Sequence, residues 1–297
     1  MNYLQILNKD FFKKIIYKIY IIYKKILGYD HHKWCLGIVD KNNFLNNVFF
    51  YPPKNEFWAD PFYFKHNNKD YCFFERYFYS TNKGELACAE IKKNNLIKFK
   101  TVMKKNYHLS FPNIFKYKNN IFLIPETHEN KRLEVYICKK FPNKWLLYST
   151  AFEGEAICDP LIMLKNGKMW LFVNKAKNNL SHLNKDLYIY QIDSLKLQSI
   201  ISHKKNPVIR NFNGGRNAAQ QFFKNTLMTR VSQNCKNLYG ESINISKIKK
   251  LTLSDYQEEK ITTIKPSIFD YKNIIGIHSL SKYKNKFLID ALFKFRK

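Results

Sequence analysis

A strand pair that recurs along the chain is the feature of this sequence that most constrains its fold. In each copy a proline opens an apolar run, a short polar turn follows, and a second apolar run ends in a polar residue. The copies begin at Asp60-Pro61, Phe111-Pro112 and Asp159-Pro160, and the residue fourteen positions after each proline is Glu75, Glu126 or Asn174. Two looser copies occupy residues 214–231 and 276–291. Five units of short strands, with the first prolines 51 and 48 residues apart, indicate a β-propeller.

The whole stretch from Trp34 to the C-terminus has the texture of strands and turns. Apolar runs rich in Ile, Phe, Tyr and Val alternate with clusters of Asn, Lys and Gly. We therefore predict an all-β, five-bladed propeller over residues 34–297. The innermost strand of each blade lines the central channel, so the residues that open the repeats should meet there. These residues are Asp60, Phe111, Asp159, Arg216 and His278.

Residues 1–33 predict a different structure, a basic amphipathic helix. Between residues 4 and 27, Phe, Ile and Tyr side chains share one side of a helical wheel and six lysines take the other. The lysines exclude a transmembrane span, and no small-residue cleavage site of a signal peptide is present. We favour contact of this helix with an anionic membrane surface. The alternative is that its apolar face packs on the propeller.

The formal net charge of +28 has two interpretations. It favours an anionic partner, or it reflects a chain in which Lys and Asn are abundant throughout. Nucleic acid is not the expected partner, because no helix-turn-helix or RNP-type motif occurs. The six cysteines form no CxxC pair, so we expect neither a metal site nor another cofactor, and we expect a reducing, cytosolic setting.

The motifs in their order resemble one propeller family. They are Ala-Asp-Pro-Phe (59–62), Phe-Phe-Glu (73–75), Lys-Gly (83–84), His-Leu-Ser-Phe-Pro (108–112), Pro-Glu (125–126), Phe-Pro-Asn-Lys-Trp (141–145), Asp-Pro (159–160), Asn-Pro-Val (206–208), Tyr-Gly (239–240) and Gly-Ile-His (276–278). The family is the N-terminal propeller of plant glucosamine inositolphosphorylceramide transferases, which also occurs in bacterial surface-polysaccharide loci. The chain is more distantly similar to five-bladed glycoside hydrolases of the arabinanase and invertase type.

The resemblance implies sugar transfer at the cytoplasmic face of the membrane, during assembly of lipopolysaccharide, capsule or glycolipid. The expected partners are an activated sugar phosphate donor and a glycan or lipid-linked acceptor. We predict catalytic roles for Asp60, Asp159 and Glu126, with Asp60 deprotonating the acceptor hydroxyl. We predict that Arg216, His278 and His108 neutralise the departing phosphate. Further candidate substrate-binding residues are Glu75, Asp290 and Tyr239.

Two other functions stay open at this point. Paired carboxylates also serve glycoside hydrolysis, but a hydrolase of this type would carry an acid where Phe111 stands and a Glu where Asp159 stands. The third possibility is a glycan-binding propeller without catalysis. Each candidate residue also has a structural interpretation, since Asp-Pro opens turns and the histidines suit a hydrogen-bonded core.

Overall fold

The computed structural model describes residues 31–218, 222–224 and 227–295 and folds them into five antiparallel sheets. Each sheet is one blade, so the predicted five-bladed, all-β propeller is confirmed. Residues 1–30, which include the predicted helix and its membrane-facing residues 4–27, lie outside the described residues. The described residues contain no helix that is long and apolar enough to cross a membrane.

The strands follow the blades in chain order. Two strands precede the first complete blade, β1 (His31–Asp40) and β2 (Asn47–Phe50). Blade 1 contains β3 (Glu56–His66), β4 (Lys69–Phe78), β5 (Lys83–Lys92) and β6 (Asn95–Met103). Blade 2 contains β7 (Ser110–Tyr117), β8 (Asn120–Glu126), β9 (Leu133–Lys140) and β10 (Lys144–Ala151). Blade 3 contains β11 (Ala156–Lys165), β12 (Lys168–Ala176), β13 (Asp186–Ile192), β14 (Ile200–Ser202) and β15 (Ile209–Arg210).

The last two blades complete the ring. Blade 4 contains β16 (Asn213–Asn217), β17 (Phe222–Lys224), β18 (Leu227–Asn234), β19 (Ser242–Leu251) and β20 (Tyr256–Ile264). Blade 5 joins β21 (Ile274–Gly276), β22 (Leu280–Tyr283) and β23 (Lys286–Phe295) to β1 and β2. Three short 3₁₀ helices lie in the connections, at His128–Asn130, Leu180–Asn184 and Pro266–Phe269.

Blade 5 closes the propeller by combining the first strands of the described chain with the last. β1 pairs antiparallel with β23 in one unbroken register, from His31 opposite Phe295 to Asp40 opposite Lys286. The first strand thus begins three residues before the propeller boundary predicted at residue 34. Residues 31–33, assigned to the helical segment by the sequence pattern, belong to the propeller because their backbone completes this ladder.

The core lies between the blades, and this explains the continuous apolar runs of the sequence. Residues 169–174 of β12 are all buried, because both faces of a blade pack against its neighbours. The rings of Phe62 and Phe111 meet edge to face at 4.8 Å between blades 1 and 2. Near the axis, hydrogen bonds join each blade to the next: Phe111 to Asp60, Asn113 to Pro160, Asn174 to Gly215, Leu280 to Ala218, and Tyr63 to Ser281. The ring is therefore continuous at its centre.

Candidate functional site

The recurring X-Pro step is a β-bulge at the same place in three blades. Asp60, Phe111 and Asp159 have left-handed backbones, with φ of 51°, 47° and 46°. At each of them the pairing of the first two strands shifts register. A bulge redirects a side chain, and left-handed backbone is costly for a residue with a Cβ. Three blades share this costly arrangement where their inner strands enter the channel.

The first carboxylate of the channel, Asp60, receives contacts from two neighbouring blades. Its Oδ2 accepts the backbone N–H of Phe111 at 3.1 Å. Its Oδ1 lies 3.4 Å from Nε2 of His278, and the other imidazole nitrogen, Nδ1, lies 2.9 Å from Oδ2 of Asp290. The imidazole of His278 is thus held between two carboxylates. Asp60 and His278 are both almost completely buried.

A second cluster surrounds the guanidinium of Arg216. Its Nε donates to Oδ2 of Asp159 at 2.7 Å, and its Nη2 donates to Oε2 of Glu126 at 3.1 Å. A further bond runs from Nη1 to Oδ1 of Asn184 at 2.7 Å. The amide nitrogen of Gln233 lies 3.4 Å from Asp159 Oδ2. Arg216 therefore links the acids of blades 2 and 3 from its place on the innermost strand of blade 4.

Two histidines in the connecting loops lie next to two buried acids of the channel, Glu126 and Glu75. Nδ1 of His128 lies 2.7 Å from Oε1 of Glu126, and Nε2 of His108 lies 3.6 Å from Oε1 of Glu75. The two imidazole rings are 5.4 Å apart. The exposed fraction of the side chain is 27% for His128 and 14% for His108, compared with 5% for Glu126. These histidines therefore lie between the buried acids and the solvent.

The glycine of the Lys-Gly motif at residues 83–84 is required for steric reasons. The N–H of Gly84 donates to Nδ1 of His108 at 2.9 Å. A Cβ at residue 84 would lie 2.4 Å from the carbonyl oxygen of Leu109 and 2.8 Å from Oε1 of Glu75. Only glycine lets the backbone approach both groups this closely.

Aromatic side chains form one wall of the channel mouth. Tyr239 stacks on Arg216, with Cζ 5.1 Å from the centre of the tyrosine ring, and remains 38% exposed. The ring of Trp34 lies 4.1 Å from the imidazole of His278 and meets Tyr239 edge-on at 6.5 Å. Gly240 allows this packing, because a Cβ there would lie 2.6 Å from the Cβ of His278.

Burial and mutual repulsion set the protonation of the acids. Burial raises the pKa of Asp60 to about 6, with His278 opposing the rise and Asp290 adding to it. Burial, reinforced by Asp60 and Glu126, raises the pKa of Glu75 well above its usual value. For Glu126, burial is outweighed by the His128 hydrogen bond and the Arg216 charge, so its pKa falls well below the usual value. The acids of the channel therefore divide into ionised and protonated groups.

The pKa values of the two histidines shift in opposite directions, and the pKa of Asp159 rises. Burial lowers the pKa of His108. Burial would also lower the pKa of His128, but Glu126 outweighs it and the net shift is upward. For Asp159, burial raises the pKa well above its usual value, Arg216 opposes the rise and Glu126 adds to it. The site thus places a neutral His108 beside a His128 that retains its proton more readily.

The predicted meeting of the repeat openings is confirmed. Contacts in the channel join all of the predicted catalytic residues and most of the predicted ligand-binding ones: Asp60, Asp159, Glu126, Glu75, His108, Arg216, His278 and Tyr239. The chemical roles that we assigned to them stay predictions.

Two residues take a different place from the one expected. Asp290 does not face the channel as a substrate ligand: its exposed fraction is 0%, and its oxygens accept the backbone N–H groups of Asp60, His278 and Ser279. Arg216 does not offer its bidentate fork to a phosphate, because Asp159 and Glu126 already bind it. Both side chains position other groups of the site.

Three residues in contact with the acids of the channel, His128, Asn184 and Gln233, were not among the predicted site residues. Gln233 had a detectable signal, since it is six residues after the first residue of β18. Glu75, Glu126 and Asn174 stand six residues after the starts of β4, β8 and β12. His128 and Asn184 lie in 3₁₀ turns outside the repeat, where no period could indicate them.

Two clusters among the described residues have the composition of a metal site, and in one of them a histidine lacks the necessary lone pair. The first is His108, Glu126 and His128, whose ligand atoms lie within 4.8 Å of one another. Nδ1 of His108 accepts a backbone N–H, so Nε2 of the neutral ring carries the proton and has no lone pair for a metal. The second is Asp60, His278 and Asp290, in which the imidazole lies between the two carboxylates and three backbone N–H groups bind the oxygens of Asp290.

The model of the family described as glucosamine inositolphosphorylceramide transferase 1, N-terminal, matches residues 48–273. The chain belongs to this family. The resemblance found in the sequence motifs is thereby confirmed.

Curated relatives carry the corresponding name. Glucosamine inositolphosphorylceramide transferase 1 of Oryza sativa subsp. japonica is 31% identical over 210 residues, which cover 69% of this chain and 28% of the rice protein. The Arabidopsis thaliana protein of the same name is 30% identical over 213 residues, covering 70% of this chain and 28% of its own length. The match therefore spans under a third of these relatives, whose name describes a transferase.

Solved structures support the fold. A GH43_1 enzyme from Xanthomonas citri complexed with xylose superposes with a TM-score of 0.57 at 7% identity, covering 82% of this chain and 88% of that enzyme. The β-xylosidase RS223 gives a TM-score of 0.56 at 10% identity, covering 81% and 92%. At these identities the likeness concerns the propeller architecture alone.

Proposed function

We propose that this protein is a glycosyltransferase-like enzyme of cell-surface polysaccharide biosynthesis. In this proposal it transfers a sugar from an activated phosphate donor to a glycan or lipid-linked acceptor of lipopolysaccharide, capsule or glycolipid. The observation that carries it is the pairing of buried Asp60 with His278, next to the cluster of Arg216, Asp159 and Glu126. The transferase name of the relatives supports the same reaction class.

Asp60 is the proposed general base. With a pKa of about 6, it is ionised at neutral pH and still basic enough to accept the proton of a sugar hydroxyl. Its carboxylate accepts a hydrogen bond from the backbone N–H of Phe111, and its own backbone N–H donates to Asp290. These two hydrogen bonds fix the orientation of Asp60. His278 lies against the other oxygen and compensates the charge of the carboxylate.

His128 is the proposed partner of the departing phosphate. It retains its proton because of Glu126, and it is more exposed than the acids beneath it. A protonated imidazole at the channel mouth neutralises charge that develops on a leaving phosphate. His108, held by Gly84, would donate a hydrogen bond from Nε2 to the same group or to a sugar hydroxyl. Asp159 and Glu126 would orient sugar hydroxyls, held in place by Arg216.

Glycoside hydrolysis is less well supported by the same geometry. In blade 2 the group that faces Asp60 is the backbone N–H of Phe111 instead of a second carboxylate. In blade 3 the carboxyl group of Asp159 is hydrogen-bonded to Arg216 and its pKa is raised by burial, both of which hinder its action as a nucleophile. The proposed transfer needs neither residue in those roles.

We place the protein at the inner face of the membrane, in the cytoplasm, with residues 4–27 on the anionic lipid surface. This part of the proposal rests on the basic amphipathic pattern of those residues. Flotation of the full chain with anionic and with neutral vesicles tests it, and recovery of the chain with neither kind would contradict it.

The experiment on the reaction compares the wild type with Asp60→Asn. Both proteins are incubated with a panel of sugar nucleotides and lipid-linked acceptors, and transfer is measured as labelled product. We expect turnover by the wild type and loss of it in Asp60→Asn, while Asp270→Asn, an exposed turn residue, serves as the matched control. Equal turnover by the wild type and Asp60→Asn would remove Asp60 from the mechanism.

A further inference from the structure

A second cleft lies between blades 4 and 5, at the same end of the propeller as the channel mouth. It encloses about 710 Å³, a size typical of ligand pockets, and its lining includes Asn213, Asn244, Lys260, Lys265, Tyr271 and Lys272. The connection between β18 and β19 joins it to the channel. That connection carries Tyr239 of the channel mouth, while its last residue, Glu241, lines the cleft.

Amide and hydroxyl groups in fixed orientations line one side of the cleft. Nδ2 of Asn244 donates to Oδ1 of Asn213 at 3.0 Å, and the hydroxyl of Thr263 donates to Oδ1 of Asn244 at 2.8 Å. Asn244 is buried, which fixes the network against the ends of β16, β19 and β20. Preoriented amides and hydroxyls of this kind are suited to hydrogen bonds with the hydroxyls of a sugar.

Three lysines give the cleft a positive charge. Lys260, Lys265 and Lys272 are exposed, and none forms an ion pair with another of the described residues. The one acid in the lining is Glu241, whose carboxylate is held by the side chain of Asn237 at 3.1 Å. The lysines outnumber this acid, and the net positive charge of the lining favours a ligand that carries a phosphate or a carboxylate.

An aromatic ring completes the lining. The ring of Tyr271 meets Phe49 and Phe293 edge to face at 5.5 and 6.2 Å, and 40% of the residue remains exposed. The two phenylalanines therefore fix the tyrosine ring while leaving part of it available to a ligand. A fixed aromatic surface beside hydrogen-bonding groups is a common way to bind a molecule with one apolar and one polar side.

We propose that this cleft binds an anionic glycan, a sugar chain that carries phosphate or carboxylate groups. Its place beside the channel assigns it to the part of the acceptor that extends away from the reacting hydroxyl. That assignment rests on the proposed transferase function, whereas binding itself does not. The cleft thus indicates that the acceptor is an anionic glycan.

Isothermal titration of the full chain tests the proposal with stated probes. A heparin-derived tetrasaccharide is the anionic glycan, maltotetraose the neutral one, and inorganic pyrophosphate the anion without a sugar. We expect the anionic tetrasaccharide to bind at least tenfold more tightly than either of the others. Equal affinity for pyrophosphate would contradict recognition of a glycan, and equal affinity for maltotetraose would contradict recognition of its charge.

Variants locate the binding. The double substitution Lys260→Gln with Lys272→Gln should weaken tetrasaccharide binding at least tenfold. The matched control replaces Lys116 and Lys118, two exposed lysines beside the turn at the other end of blade 2, with Gln. If the control pair weakens binding equally, the effect is one of overall charge and the site is wrong. Tyr271→Phe should retain binding, and Tyr271→Ala should weaken it.

Binding measured on a channel variant separates the proposed glycan site from the proposed transfer reaction. Asp60→Asn should bind the tetrasaccharide as the wild type does, because Asp60 lies in the channel. If no sugar nucleotide supports transfer but the cleft variants still lose binding, the reaction is wrong and the binding site stands. If transfer is observed and the lysine variants bind normally, the binding site is wrong and the reaction stands.

Discussion

Oδ2 of Asp290 accepts the backbone N–H of Asp60 at 2.9 Å, joining the last blade to the first. The other oxygen of Asp290 accepts the N–H groups of His278 at 3.0 Å and Ser279 at 2.9 Å. One fully buried carboxylate therefore holds the backbone of both partners in the Asp60–His278 pair. The closure of the fold and the geometry of the channel depend on the same side chain.

Replacing Asp290 with Asn should destabilise the fold. An amide offers one oxygen where the carboxylate offers two, so a backbone N–H would face an NH₂ group and lose its acceptor. The expected loss is about 1–3 kcal/mol in the free energy of unfolding, measured by urea denaturation. Asp270→Asn changes an exposed residue in the same way and should leave stability within about 0.5 kcal/mol. A similar small change in Asp290→Asn would contradict the role given to this carboxylate.

The sequence predicted the channel as far as the repeat extends. Asp60, Phe111 and Asp159 could be placed together because each precedes a proline at one step of a period. The period could not show how the charges pair. Arg216 was expected to bind phosphate, but it is bound to Asp159, Glu126 and Asn184, and such pairing depends on distances between blades.

The loops show a different limit of sequence reasoning. His128 lies in a 3₁₀ turn of a connection whose length differs between blades, so its contact with Glu126 has no periodic signal. For Asp290 the sequence pattern was misleading, because its position in the strand differs from that of the other acids. It stands four residues after the start of β23, whereas Glu75 stands six after the start of β4, and the shift moves Asp290 deeper into the fold.

The rate of sugar transfer should depend on pH through two groups. Asp60 must be ionised to act as the base, so the rate should rise as pH increases through about 6. His128 must be protonated, and its pKa is raised above the usual value, so the rate should fall as pH rises further. Asp60→Asn should lower kcat by about 10²–10⁴-fold and remove the acidic limb. His128→Gln should remove the basic limb.

A third variant controls for general effects on histidine. His66 stacks on Phe141 at the opposite end of blade 1 and belongs to no part of the channel. His66→Gln should retain both limbs of the profile. A basic limb that persists in His128→Gln would show that another group carries the proton at the leaving phosphate.

Glu75 should make stability depend on pH in the direction opposite to that of an ion-paired acid. Its pKa in the folded state is raised well above that in the unfolded chain, chiefly by burial. The folded state therefore holds the proton more tightly, and stability falls as pH rises above about 4.5 towards the folded-state pKa. Each unit of elevation contributes about 1.4 kcal/mol. Urea denaturation at several values of pH measures this slope.

Glu75→Gln isolates that contribution. The amide has nearly the same shape and no proton to lose, so the variant should be as stable as the wild type near pH 4.5 and more stable at pH 8. Glu90→Gln is the comparison, because Glu90 lies on the outer part of blade 1 near Lys69 and Lys98. Parallel stability profiles for wild type and Glu75→Gln would show that Glu75 is ionised in the folded protein.

Gly84→Ala should disturb the site by steric pressure alone. A Cβ at this position lies 2.4 Å from the carbonyl oxygen of Leu109 and 2.8 Å from Oε1 of Glu75, so the loop that carries His108 must move. We expect a loss of about 1–3 kcal/mol in the free energy of unfolding, as for other overpacked positions. We also expect transfer to fall, because the hydrogen bond from the Gly84 N–H to His108 Nδ1 would lengthen.

Gly167→Ala is the matched control for this substitution. Gly167 lies in a turn of blade 3, at the end away from the channel mouth, with φ of +71°. A Cβ at this position would have no atom within 4 Å. It should cost about 1–2 kcal/mol through its left-handed backbone and leave transfer unchanged. If Gly84→Ala also leaves transfer unchanged while losing stability, the contact between Gly84 and His108 supports the fold and not the reaction. Comparing the two alanines thus separates damage to the channel from a general loss of stability.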